Sequence, residues 1–310
     1  QTYTGNATLG AATTLTGSVI SFGGTVTGGG FDLTITNSGA ITLALSNITG
    51  VNNFTNNGTG TTTAGGTLTT TGTQAWNNPL TLNADTTLTG SVISFGGTVT
   101  GGGFDLTITN SGAITLALSN ITGVNNFTNN GTGTTTAGGT LTTTGTQAWN
   151  NPLTLNADTT LTGSTVTFGG TLGNSTSQTL DITGNAVFNG TVGAGTALTS
   201  VTVSGTTAIN GGSVNTSGIQ TYTGNATLGA ATTLTGSTVT FGGTLGNSTS
   251  QTLDITGNAV FNGTVGAGTA LTSVTVSGTT AINGGSVNTS GIQTYTGNAT
   301  LGAATTLTGS

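Results

Sequence analysis

The feature that most constrains this chain is a tandem repeat that runs through its whole length with a single period of about 73 residues. Phe22, Phe95, Phe168 and Phe241 stand one period apart. Residues 13–85 recur unchanged as 86–158, carrying Trp76 to Trp149, Pro79 to Pro152, and Asp32 and Asp85 to Asp105 and Asp158; this is type A. A related unit, type B, fills 159–231 and 232–304 and carries Tyr222 to Tyr295 and Asp181 to Asp254. Residues 1–12 and 305–310 are partial repeats, and the opening QTYTGNATLGAATTLTGS is identical to 220–237 and 293–310. Self-similarity at a fixed period signals stacked units, each unable to bury its apolar face without its neighbours. The order A, A, B, B, opening and closing inside type B, reads as an excerpt of a longer array.

Type B contains a finer beat: GGTL ending at Leu172, NGTV at Val192, GGSV at Val214, NATL at Leu228 and GGTL at Leu245. Type A keeps the landmarks at Val26, Leu68 and Leu82. The spacing predicts four coils of about 18 residues per repeat and about 17 coils in all, a rod on the order of 80 Å long at the usual strand spacing. Short alternating stretches such as LTIT (33–36), VTF (166–168) and VTV (201–203) read as strands with one apolar face. Gly and Asn punctuate them and supply tight corners. No segment carries a 3.6-residue apolar stripe, and Thr, Asn and Gly are poor helix formers, so almost no helix is expected. The expected fold is all-β, a parallel β-helix (β-solenoid) continuous over 1–310.

Composition removes most chemistry. The chain has no Cys, Met, His, Lys or Arg, and six Asp are its only charged residues, for a net charge of −6. Nucleic-acid binding and phosphate binding lack their residue types. With 32% hydrophobic residues and a mean hydropathy of +0.16, the chain can bury a core, and its low charge is not that of a disordered chain. No apolar run reaches the roughly 18 residues of a membrane helix, so no membrane insertion is expected. A leader peptide and an initiator Met are both missing from the sequence, which fits a mature exported product.

Candidate functional residues each have a plain structural reading. A glycosidase pair needs carboxylates roughly 5 to 9.5 Å apart, whereas the spacing of Asp32 and Asp85 puts them about three coils, on the order of 14 Å, apart. Type B has one carboxylate per unit, Asp181 or Asp254. The run GGGFD at 28–32 and 101–105 superficially resembles a calcium-binding glycine repeat, but no second Asp follows at the right spacing, and a Gly-rich corner is expected. Trp76, Trp149, Tyr3, Tyr222 and Tyr295 could form an aromatic track, but one repeat of rise is too far for neighbouring sugars to share. Packing at a corner or against another fibre is expected instead. Sequons such as Asn53-Phe54-Thr55 and Asn189-Gly190-Thr191 arise by composition. The pairs Thr25-Val26-Thr27, Thr34-Ile35-Thr36 and Thr165-Val166-Thr167 suit an ice-binding array, which coils as uneven as the landmark spacing implies would not keep flat. No catalytic, cofactor-binding or metal-ligating residue is assigned, no cofactor is expected, and the chain is not expected to be an enzyme.

The phrases TSGIQTYTGNATLGAATTLTGSTVTFGGTL (216–245) and TGTQAWNNPLTLNADTTLTGSVISFGGTV (71–99) resemble the repeat arrays of filamentous-haemagglutinin-like adhesins and related autotransporter passengers, very large bacterial surface proteins. The resemblance implies a right-handed parallel β-helix exported to the cell surface or beyond it, serving as a stalk, adhesin or matrix filament. The expected partners are other copies of the chain, end to end and side by side, and a host or neighbouring cell surface. The alternative is a ligand-binding solenoid, taking glycans or, through its Thr array, ice.

Overall fold

In a computed structural model, which describes all 310 residues, the chain is an all-β parallel β-solenoid of about 15 coils. It forms two compact units, Gln1–Asn151 and Pro152–Ser310, divided close to where type A gives way to type B. The only helical turns are two short 3-10 corners, Leu45–Asn47 and Leu118–Asn120, which tuck Leu45 and Leu118 inside. No helix is long and apolar enough to cross a membrane.

Within Pro152–Ser310 the inward residues stack in three parallel ladders. The first runs through Leu172, Val192, Val214, Leu234, Ile255 and Val276. The second runs through Ile182, Val203, Tyr222, Phe241, Phe261 and Ile282. The third runs through Ala186, Thr207, Ala226, Leu245, Val265 and Val287. Alternation along each strand sends the intervening Thr, Ser and Asn outward, as a period of two requires. Rings continue the stacking: Tyr222 lies 5.3 Å from Phe241, and Phe241 lies 5.8 Å from Phe261, over three successive coils.

The coil is therefore about 20 residues long, close to the expected 18, with steps that range from 18 residues (Thr62 to Leu80) to 22 (Val192 to Val214), so one repeat spans somewhat fewer than four coils. Val214 pairs with Leu234, whereas Leu228, taken from the sequence as the next landmark, pairs with Ile209 on another ladder. The GGTL-like beat marks whichever corner comes next, not one fixed face. Passing from Leu172 to Leu245 takes eleven ladder positions, or three coils and two-thirds of a fourth. Each step of one repeat thus moves a residue to a different ladder: Leu172 stands on the first and Leu245 on the third, Ile182 on the second and Ile255 on the first.

The same rotation holds within Gln1–Asn151. Leu15, Ile35, Asn56, Trp76 and Phe95 stack in one ladder, built from strands Thr13–Gly17, Leu33–Asn37, Phe54–Gly58, Gln74–Trp76 and Ile93–Phe95. Their duplicates Leu88, Ile108, Asn129 and Trp149 stack on Leu68, in another.

A cluster of buried amides ties three coils together here. Asn37 Oδ1 accepts from Asn56 Nδ2 at 3.1 Å and from Asn78 Nδ2 at 2.7 Å, while Thr62 donates to Asn56 Oδ1 at 2.8 Å. Asn78 lies two coils from Asn37, and the residue paired with Asn37 in the coil between is Gly58. Gly58 has a left-handed φ of +112°, and a Cβ there would run into the Asn37 carbonyl. Asn110, Asn129, Asn151 and Gly131 repeat the arrangement. Gly58→Ala should therefore destabilise Gln1–Asn151 by about 2 kcal/mol or more, read as a lower melting temperature. A melting temperature equal to that of the unaltered chain would show that the coil spacing yields to a methyl group.

Candidate functional site

Outward-facing polar residues and a few buried ones are the only groups with chemistry to offer, so the candidate site is a set of ladders. At the corners, Asn and Asp side chains accept the backbone N–H of the next coil. Asp85 Oδ1 accepts from Asp105 N at 3.0 Å, Asp105 Oδ1 from Asn126 N at 3.0 Å, and Asn126 Oδ1 from Thr146 N at 2.7 Å. Asp32 and Asn53 form the same series, and further along the chain Asp158 accepts from Thr179 N and Asn185 from Thr206 N in separate bonds of the same kind. These are Asx-type bonds carried from coil to coil.

The sequence spacing of Asp32 and Asp85 gave no sign that Asp85 and Asp105 are coil neighbours. Their proximity follows from the longer coil. Asp105 Oδ1 is engaged by three N–H groups, from Asn125 Nδ2, Asn126 N and Asn126 Nδ2. Asp32 Oδ1 is engaged likewise by Asn52 and Asn53. Hydrogen bonds from the Asn52 side chain, the Asn53 N–H and the Asn53 side chain hold the Asp32 carboxyl below its ordinary value of 3.8. For Asp105, burial pushes upward, but the bonds from Asn126 and Asn125 outweigh it and the carboxyl again lies low. Both carboxylates direct their acceptor capacity at amides. The adjoining GGGFD run is a corner, with Gly29 and Gly30 at φ of +60° and +84°.

Most of the aromatic residues lie inside the coils, whereas Tyr3 and Tyr295 are half-buried and Phe31 is exposed. Trp76, Trp149 and Tyr222 are fully buried, so they form no track for sugars, and their expected place at a corner or between fibres is corrected to the core. Each follows a glutamine by two residues, and this glutamine recurs at 1, 74, 147, 220 and 293. Gln220 Nε2 donates to Val214 O at 3.0 Å in its own coil and to Thr235 O at 2.8 Å in the next, while its Oε1 accepts from the Tyr222 hydroxyl at 2.9 Å. Gln74 repeats this with Leu68, Thr89 and Trp76. Sequence reasoning missed the glutamine, although its strict once-per-repeat recurrence two places before an aromatic was visible.

Sequon amides are mostly engaged: Asn53 bonds Asp32 and Thr73, and Asn189 Oδ1 accepts from Asn210 at 2.8 Å. Threonine pairs, by contrast, face outward and in register. Thr67 and Thr69 stand against Thr87 and Thr89, which stand against Thr107 and Thr109. Coil steps vary from 18 to 22 residues along the chain, but the two steps that join these three coils are each 20 residues, which keeps the pairs in register there. No family model, curated protein or solved structure matches the chain.

Two outcomes follow from the buried network. Gln220→Leu leaves the buried Tyr222 hydroxyl without its acceptor and removes the side-chain bonds to the Val214 and Thr235 carbonyls, and should cost about 1 to 3 kcal/mol, seen in thermal unfolding. Gln293→Leu, in a half-exposed coil, should cost less, and equal losses would contradict the staple. Stability should also be flat from about pH 5 to 9 and fall on both sides. Asp32 and Asp105 have lowered values, so their contribution is complete above 3.8 and is lost as pH drops through the folded values. Burial raises Tyr295 from 10.0 to about 12 and raises Tyr222 as well, so the folded state weakens as pH climbs above 10, where only the unfolded chain ionises. A denaturant midpoint measured across pH that moved between 5 and 9 would contradict this.

Proposed function

We propose that this chain is a non-catalytic structural segment of an exported surface or extracellular filament, a stalk or matrix fibre extended by further coils of the same kind. The observation that carries this reading is the segment QTYTGNATLGAATTLTGS, present three times. In the copy at 220–237, Tyr222, Leu228 and Leu234 are 0% exposed beneath the next coil. In the copy at 293–310, Tyr295 is half-buried, Leu301 is 55% exposed and Leu307 is 48% exposed. The same residues are thus a core wherever a coil covers them. The fitting cover is another coil, from the continuing chain or from a second copy docked end to end.

Two further features favour a mechanical role. Glutamine, asparagine and aspartate side chains are directed at backbone groups of neighbouring coils, which leaves few of them for a ligand. Four of the six carboxylates, Asp32, Asp85, Asp105 and Asp158, are committed to that framework, and Trp76, Trp149 and Tyr222 to the core. An extracellular setting suits a chain without cysteine or cationic side chains, and the resemblance to surface-adhesin repeats points the same way.

Electron microscopy of the purified chain at high concentration tests the end-to-end form of the reading. Filaments whose length grows with concentration are expected, with a circular dichroism spectrum that is β-type and free of helix. A chain that stayed dispersed at every concentration would leave covalent continuation as the only route to a fibre.

A further inference from the structure

We infer that the type A threonine stacks are lateral docking faces for a second copy of this chain, and that type B is built to refuse the same contact. The inference rests on the filament reading above. In Gln1–Asn151 one stack holds Thr67, Thr69, Thr87, Thr89, Thr107 and Thr109. A second, on a different ladder, holds Thr14, Thr16, Thr34 and Thr36. None of these hydroxyls forms a hydrogen bond within the protein, although almost every other kind of polar side chain is drawn into the coil-to-coil network. They face outward as rows of methyl and hydroxyl groups, with no charge on the stack itself.

Type B has the same strand in the same register but a different second row. Thr160 pairs with Asp181 and Thr233 with Asp254, where type A pairs Thr87 with Thr107 and Thr14 with Thr34. Asp181 and Asp254 are exposed and form no hydrogen bond, unlike Asp32 and Asp105. A carboxylate with no hydrogen-bond partner, set in the middle of the strand face, acts as a gatekeeper against strand-face association. Two of the six charges of the chain are placed this way.

The occupant that fits the type A stack is another such stack. Its rows repeat at the coil spacing, so rows on a facing copy interdigitate step for step, as matched side chains do between paired sheets. Three coils of about 4.8 Å by a five-residue strand of about 17 Å offer roughly 240 Å² per partner, under a third of the ~800 Å² of a stable interface. A single contact is therefore weak, and bundling needs contacts repeated along end-stacked copies. Because each repeat moves the stack to another ladder, one copy carries two such faces and can bridge two neighbours, which makes lateral growth open-ended.

Three forms of the full chain distinguish this: the unaltered chain, Thr34→Asp with Thr107→Asp, and Asp181→Thr with Asp254→Thr. Type B already carries Asp at the matched positions, so the first variant should fold, which its circular dichroism spectrum checks. By negative-stain electron microscopy the unaltered chain should give bundles. The Thr-to-Asp variant should give single filaments of unchanged length, and the Asp-to-Thr variant thicker bundles. If no filaments form at all, the end-to-end reading fails but this one is still decided. Sedimentation velocity should then show weak self-association of the unaltered chain that falls at least tenfold in the Thr-to-Asp variant. Bundling or self-association equal in all three forms would overturn the inference. So would thermal hysteresis in a chain that does not self-associate, which would assign the stacks to ice.

Discussion

Everything in this molecule depends on the parallel backbone ladder between successive coils. Strands hydrogen-bonded in parallel sit about 4.8 Å apart whatever their side chains, so every inward, outward and corner residue is stacked on another at that distance. Where the chain turns, the ladder leaves almost no room. Gly184, at φ +129°, could not carry a Cβ without meeting the Gly163 carbonyl. Corners are therefore made of glycine or of asparagine and aspartate whose short side chains bridge to the next N–H. Inside, the same spacing allows aromatic rings to stack over successive coils and lets a single glutamine reach two carbonyls at once.

Such a framework reverses the usual meaning of polar residues. In most folds a buried Gln, a cluster of Asn or a pair of neighbouring carboxylates invites a search for a ligand. Here Gln220, Asn37 and Asp105 each turn their polar atoms toward neighbouring coils. Removing one partner from such a network leaves a buried group unmet, which costs more than the bond contributed. The network therefore specifies stacking register more than it adds net stability, and register is the property that a chain of near-identical coils most needs to control.

The repeat, the strand class and the lack of helix were legible in the sequence because they rest on periodicity and composition alone. Which landmark stacks on which was not, because the GGTL-like landmarks recur at every corner, and Leu228 and Leu234 look equally good as successors to Val214. That one ambiguity propagated. With the shorter coil Asp85 and Asp105 are not neighbours, Trp76 is placed at a corner or between fibres, and the threonine pairs of 67–69, 87–89 and 107–109 do not align. With the true coil all three fall into place. The buried role of Gln74 and Gln220 was hidden for another reason: a glutamine beside Thr or Ala in a polar sequence gives no sign of burial until the aromatic two places on is known to point inward.

The mismatch between repeat and coil explains why the duplicated sequence can stay identical. If one repeat made a whole number of coils, each residue would belong to one face, and the three faces could specialise. Because the step is three coils and two-thirds, Trp76 and Trp149 sit on different ladders in the same unit and are both fully buried, against Phe54 at 4.9 Å and Phe127 at 4.8 Å. Each inward residue must therefore pack on any ladder, which favours small β-branched and aliphatic side chains and a polar staple that needs only backbone partners. An inserted repeat turns everything after it by one face, and the hydrogen-bond ladder accepts the turn because all three faces share one spacing. Growth by exact duplication is thus neutral for folding, while the surface motif of each new copy is aimed in a new direction.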